Sequence, residues 1–132
     1  MSLKLKLKPD EKLVIGRAVI RNGSKPAELL IENDVPILRE KDILTEKDAD
    51  SPAKRIYFTI QLMYIDPENL VAYHNRYWEL VRDVVTAAPS TKEHLEQISE
   101  QILNAHYYQA LRLAKKLIDY EEELLAHVTK SL

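Results

Sequence analysis

Residues 3–8 read LKLKLK, an unbroken alternation of leucine and lysine. A period of two puts Leu3, Leu5 and Leu7 on one face of an extended strand and Lys4, Lys6 and Lys8 on the other. Pro9-Asp10 ends the strand. Beyond it, KLVIG, RAVIRNG and ELLIEN are short β-branched or leucine-rich runs. Gly16, Asn22-Gly23-Ser24 and Asn33-Asp34, all turn formers, separate them. VPIL, residues 35–38, makes a fifth run. Pro36 cannot donate to a ladder, which assigns that run to an edge or a strand start. Five strands this short form a small sheet that is hardly stable by itself.

The rest of the chain has helical spacing. Ser51-Pro52 supplies a cap and a proline at the first helical position, and AKRIYFTIQLMYI after it is apolar nearly all round, as in a helix buried on most sides. Asp66-Pro67 repeats the device and opens a second helix, with Leu70, Tyr73, Tyr77, Leu80, Val81 and Val84 on one stripe. Ala88-Pro89 ends it. Ser90 with Glu93 predicts a capping box for a third helix carrying Leu95, Ile98 and Ile102. Asn104 marks a turn. A fourth helix then bears Leu111, Ala114, Leu117, Ile118, Leu124 and Leu125, with Lys115, Lys116 and Glu121 to Glu123 facing out. The polar TEKDAD stretch, residues 45–50, carries the boundary. The fold class expected is α+β: an antiparallel five-stranded β lobe over residues 1–48 packed on a four-helix lobe over 49–132.

Of the 132 residues, 45% are hydrophobic and 30% charged, the balance of a globular protein. No cysteine is present, which excludes disulfides, thiol catalysis and cysteine-ligated zinc. The amino-terminal segment has no apolar h-region, and no apolar run approaches the roughly 18 residues of a spanning helix. A cytoplasmic protein with no membrane partner is the expectation. The net charge is −2 but unevenly placed. Residues 1–26 hold seven lysines and arginines against Asp10 and Glu11. A local basic face can attract polyanions that the whole chain would not. A solvated, lysine-rich strand face is the plainer reading of the same residues.

Several kinds of chemistry are missing. Two glycines cannot build a phosphate-cradling loop. His74, His94, His106 and His127 lie in separate helical contexts without metal-ligand spacing. Ser51, Ser90 and Thr91 are accounted for as helix caps, and Glu121 to Glu123 as an exposed helical face. No enzyme, cofactor, metal site or small-molecule substrate is expected. Tyr57, Phe58, Tyr64, Tyr73, Tyr77 and Trp78 have the spacing of helix packing. Base-stacking platforms would also need basic neighbours on an exposed face. Tyr107 and Tyr108 are adjacent, so one of the two rings is available for a partner.

Three stretches in order, KPDEKLVIGRAVIRNG, IENDVPILREKDIL and SPAKRIYFTIQLMYI, resemble the FlbT family of flagellum biosynthesis repressors. The resemblance implies a cytoplasmic post-transcriptional regulator that associates with the 5′ untranslated region of flagellin messenger RNA, blocks translation and promotes decay. It also implies a second small regulator, FlaF, as a partner. The amino-terminal part is similar to the carbon storage regulator CsrA. Glu11, Leu13, Ile15 and Gly16 match its G-E-x-L-x-I-G stretch, with Asp10 in place of the glycine. Arg39-Glu40 and Ile43 match its R-E-E-I segment, with Lys41 and Asp42 between. In that family the arginine ending the last strand contacts RNA, which nominates Arg39. Where that family has an arginine in the first strand this chain has Leu7, and the lysines at 4, 6 and 8 stand on the opposite face.

The RNA surface expected from these readings joins Lys4, Lys6, Lys8, Arg17, Arg21 and Arg39. Arg17 and Arg21 are four apart in a predicted strand, hence on one face. Arginine suits RNA because its planar fork forms paired hydrogen bonds and stacks on bases. The structural reading of Arg39 is an ion pair with Glu40 or Asp42, or a cap at the exit from the sheet. A rival function is a protein–protein adaptor or flagellin chaperone acting with FlaF, its acidic amphipathic helices serving a helix-in-groove partner. Two ways of closing the open strand edges stand side by side: strand exchange in a homodimer, as in CsrA-like sheets, or cover from the helices.

Overall fold

The structure is a computed structural model that describes residues 2–131. The chain forms two compact units, Met1–Ile43 and Leu44–Leu132, and is α+β as expected.

The first unit holds β1 (Leu3–Leu7), β2 (Lys12–Ile15), β3 (Ala18–Arg21), β4 (Ala27–Ile31) and β5 (Ile37–Arg39). All pairings are antiparallel, but the five strands form two small sheets rather than one: β1 with β4, and β3-β2-β5. One open sheet would leave a leucine face wet, whereas two sheets can close their apolar faces on each other. Leu5, Leu7 and Leu13 form the buried cluster, packed by Ile15, Ile20, Leu29, Ile31 and Ile37 from both sheets. Lys4 and Lys6 lie on the exposed face of β1.

Two turns set this geometry. Asp10 has φ +60°, a left-handed conformation that an aspartate tolerates better than most side chains, and its N–H donates to the Gly23 carbonyl at 2.9 Å. Gly16 (φ +59°) and Arg17 form the two-residue turn between β2 and β3. A Cβ at position 16 would come within 3.3 Å of Val35 Cγ2, so side-chain size and backbone both favour glycine there. Arg17 is therefore at a hairpin tip and not in a strand, and the expectation that it shares a strand face with Arg21 fails. The two arginines stand at opposite ends of β3.

The second unit contains α1 (Pro52–Ile65), α2 (Leu70–Ala87), α3 (Lys92–Leu103) and α4 (Tyr107–Ser131). The Ser51 side chain accepts from the Lys54 N–H at 3.2 Å, as its cap role predicts. Helix α1 packs against both α2 and α4, and α3 against α4, which explains why α1 is apolar on nearly every side. Ile56, Ile60, Met63, Tyr77, Ile98, Ile102, Leu111 and Leu117 are all essentially inaccessible. Buried Gln61 is satisfied at both ends, accepting from the Leu44 N–H and donating to the Leu44 carbonyl, each at 2.9 Å.

Three local expectations are corrected. The Ser90–Glu93 capping box does not form: Ser90 lies within a single 3-10 turn, Pro89–Thr91, and Thr91 precedes α3 without a side-chain cap. A 3-10 turn, Pro67–Asn69, likewise comes before α2, and the Asp66 carboxylate accepts from Asn69 and from the Tyr73 hydroxyl instead of capping backbone. In both places the chain tightens after proline before the α-helix begins, displacing the cap residue. Glu121 does not face out. It is half-buried, and its Oε2 accepts the Ala53 N–H at the start of α1 at 2.9 Å.

Candidate nucleic-acid interface

The nominated cations fall into three places within the first unit. Lys4 and Lys6 stand on the outer face of β1, opposite Leu30 and Glu28, and Lys4 Nζ is 3.3 Å from Glu28. Arg17 is at the β2–β3 hairpin tip. Lys8, Arg21 and Arg39 come together around one polar groove of about 670 Å³, with Lys41 as a fourth cation and Asp10, Glu11 and Glu40 as the anions. The register explains the meeting. Lys12 is opposite Arg21 and Leu13 is opposite Arg39, so both arginines end their strands at the same rim of the three-stranded sheet. Lys41 was not nominated from sequence; as the second residue after the last strand it is delivered to that rim by the 3-10 turn Glu40–Asp42.

Arg39 shares the face of Leu13, which is the core face, and reaches the rim between the sheets. Its Nε and Nη2 donate to Glu11 Oε2 at 3.0 and 2.8 Å, and Nη2 also donates to the Lys6 carbonyl at 2.8 Å. Glu40 and Asp42, the carboxylates nearest in sequence, are thus not the ones that hold it. Glu40 instead accepts from the Lys12 N–H at 2.8 Å. The pair is partly shielded, with side-chain exposures of 32% for Arg39 and 12% for Glu11. Glu11 is fixed from its other oxygen by the Lys8 N–H at 2.9 Å. That backbone bond, then the bond from Arg39, holds its carboxyl below the ordinary carboxylate range.

The rim is therefore preorganised. Arg39 ties β5 to β1 and to the turn before β2, while its Nη1 carries no hydrogen bond among the described residues and keeps two N–H donors for an outside acceptor. Arg21 is held loosely, Nη1 to the Asp10 carbonyl at 3.4 Å. Asn22 closes the adjoining loop by donating to the carbonyls of Lys8 and Lys25 at 2.8 and 2.9 Å. With four cations against three anions, the groove is mildly positive and rich in donors. It can accept an anionic oxygen at several points.

Elsewhere, no group of His, Asp and Glu among the described residues could hold a metal ion. Nor is any helix among them long and apolar enough to cross a membrane. Two of the histidines engage in helix packing: His74 Nε2 is 3.0 Å from the Tyr107 hydroxyl, and the His94 ring is 4.8 Å from that of Tyr120. Tyr57 and Tyr77 are core residues, whereas Phe58, Tyr64 and Tyr73 are half-buried and Trp78 is exposed. Of the adjacent pair, Tyr107 packs on His74 and Tyr108 is the exposed ring.

Comparison with known proteins places this architecture. The chain is 50% identical over 125 residues to a probable flagellum biosynthesis repressor protein FlbT of Bradyrhizobium diazoefficiens, covering 94% of this chain and 85% of that one. It is 44% identical over 126 residues to the corresponding protein of Rhodopseudomonas palustris, covering 96% and 99%. With the flagellum biosynthesis repressor protein FlbT of Caulobacter vibrioides it shares 36% identity over 134 residues, covering 100% and 95%. No solved structure matches the chain. The family model described as flagellar protein FlbT matches residues 3–125, nearly everything the two units contain, and the chain belongs to the FlbT family.

Proposed function

We propose that the chain is a repressor of flagellar synthesis that works after transcription. In this reading it binds the 5′ untranslated region of flagellin messenger RNA in the cytoplasm, blocking translation and promoting decay. The repressor role follows the names of its relatives. The observation that carries RNA binding is the convergence of Lys8, Arg21, Arg39 and Lys41 on one groove. Phosphates meet Lys8, Arg21 and Lys41, and the two remaining donors of Arg39 Nη1 meet a base edge or phosphate at a fixed position. Lys4, Lys6 and Arg17 extend the positive field outward from the groove and act as weaker, screened contacts.

Titration of labelled flagellin leader RNA at several salt concentrations tests this. Three to four phosphate contacts on a single strand give a log–log salt slope of roughly −2 to −3. Arg21→Gln and Lys41→Gln, both exposed and outside the core, each reduce that slope by about 0.7 and leave the fold intact. A flat salt response in the unaltered protein rejects the reading.

A second reading, an adaptor for flagellin or FlaF, draws on an apolar groove between α2 and α3 of about 450 Å³, lined by Trp78, Val81, Val85, Leu95 and Leu103. Retention of flagellin from nuclease-treated extract, lost in Trp78→Ser, supports it. Retention that needs intact RNA rejects it.

A further inference from the structure

The helical unit has a groove of its own whose chemistry matches an unpaired nucleotide. It is about 440 Å³, opens between α1, α2 and the segment that leads into α1, and carries Arg55 and Arg76 beside Phe58 and Tyr73, with Leu62 also lining it. Phe58 and Tyr73 are half-buried, so each presents part of its ring to the groove while the rest packs. The Tyr73 ring is fixed by its hydroxyl bond to Asp66. Arg55 is exposed, and no carboxylate lies within ion-pair distance of it among the described residues. Arg76 has only a surface contact with Glu79 at 3.5 Å, a pair that a phosphate can replace at little cost. Glu46 is the single carboxylate lining the groove.

The start of α1 is not itself the anion site, because Ser51 and Glu121 already accept the N–H groups of Lys54 and Ala53. The guanidiniums are what remains to meet an anion. Aromatic rings lining one groove with two exposed arginines, Arg76 holding only its surface pair with Glu79, are the combination that single-stranded RNA requires: a π surface for the base and positive charge for its phosphates. An apolar peptide would leave both guanidiniums facing greasy side chains.

We infer that this groove binds one unpaired nucleotide of an RNA, its base against Phe58 and Tyr73 and its phosphates at Arg55 and Arg76. The inference rests on the RNA-binding reading and adds to it a contact in the second unit. The probe is flagellin leader RNA substituted with 4-thiouridine, irradiated on the full chain, with the attached peptides mapped. Attachment within residues 52–62 or 70–80 is expected. Arg55→Gln and Arg76→Gln are each expected to weaken binding roughly 3- to 10-fold and to lower the salt slope by about 0.7. Phe58→Leu, which keeps an apolar side chain in place, is expected to weaken binding roughly 5- to 100-fold with an unchanged helical circular-dichroism signal and an unchanged slope. Attachment confined to residues 1–43, with both arginine variants binding as the unaltered protein does, overturns the helical contact and leaves the groove of the first unit standing. No attachment and no saturable binding anywhere removes both.

Discussion

The β unit is the more densely charged of the two regions, and part of that charge also holds its fold together. Its apolar cluster rests on Leu5, Leu7 and Leu13 with a partly buried surround, and Val14 and Leu38 are its other buried apolar side chains among the described residues. A core that small leaves little margin, and polar ties at the rim make up part of the difference. Arg39 is committed to Glu11 and to the Lys6 backbone, whereas Lys4 has only an exposed pair with Glu28 and Arg21 a loose bond to the Asp10 carbonyl. Among the described residues the helical unit buries eight large side chains almost completely, and exposed Arg55 and Arg76 take no part in that core. Arg55 and Arg76 are left beside aromatic rings. A cation count along a sequence therefore predicts attraction for anions only after the cations that hold the fold together are set aside.

The sharpest way to break this contrast is to remove core from the weaker unit. Leu13 is fully inaccessible, and Leu13→Ala is expected to cost about 2–5 kcal/mol, a large share of the stability of a small protein. Amide exchange over residues 3–39 should lose its protection. Ile98→Ala, at a similarly inaccessible site, should leave most amides of α1 and α4 protected, because many other buried side chains share the load. Equal collapse in both variants would show that core size does not separate the units.

A smaller effect lies in the helical unit at high pH. Burial, opposed by its bond to the Ser99 hydroxyl at 2.8 Å, pushes the Tyr77 phenol up to about 12 from 10.0. A raised value means the neutral phenol favours the folded state. Its contribution is complete below pH 10 and is lost as pH rises through about 12, an upper figure of roughly 2–3 kcal/mol. Denaturant titrations at pH 9 and pH 11.5 should show this loss. Tyr77→Phe should be less stable at pH 7 by about 1–2 kcal/mol, through the unpaired Ser99 hydroxyl, and less sensitive to alkali.

The smallest effects are those of single rim charges, and they sharpen the comparison within the β unit. Glu11 has its carboxyl held below the ordinary 4.5, so its contribution is present above that value and drains away as pH falls through the depressed folded value. Glu11→Gln should flatten the acid limb of the β-unit melting profile below pH 4.5 and change little in its shape at pH 7 to 9. Lys4→Gln breaks an exposed pair with Glu28 and should shift stability by less than about 0.5 kcal/mol at any pH. If Lys4→Gln matched Glu11→Gln in acid, the distinction between a preorganised rim and a solvated strand face would disappear.

Much of the fold was legible because it rests on local rules. The alternation of LKLKLK, the Ser51-Pro52 cap and the helical stripe through Tyr77, Leu80 and Val84 all appear where the periods place them. The turns were read less well. RAVIR begins its strand at Ala18 because Gly16 and Arg17 are consumed by a two-residue hairpin, and the proline-led 3-10 turns displaced the caps predicted at Asp66 and Ser90. The candidate groove was half legible. Lys8, Arg21 and Arg39 could be named, but Lys41 and the separation of Lys4, Lys6 and Arg17 from them depend on sheet register.

By itself the sequence determined the α+β division, the strands and helices, and membership of a flagellar family, because periodicity, capping and motif order act over a few residues at a time. Only the tertiary structure decided that five strands form two sheets, that Arg39 meets Glu11 across 28 positions, and that Glu121 seats on the start of α1 across 68. Those choices depend on how distant segments close on one another to hide apolar faces and satisfy buried polar groups, and no local period encodes them.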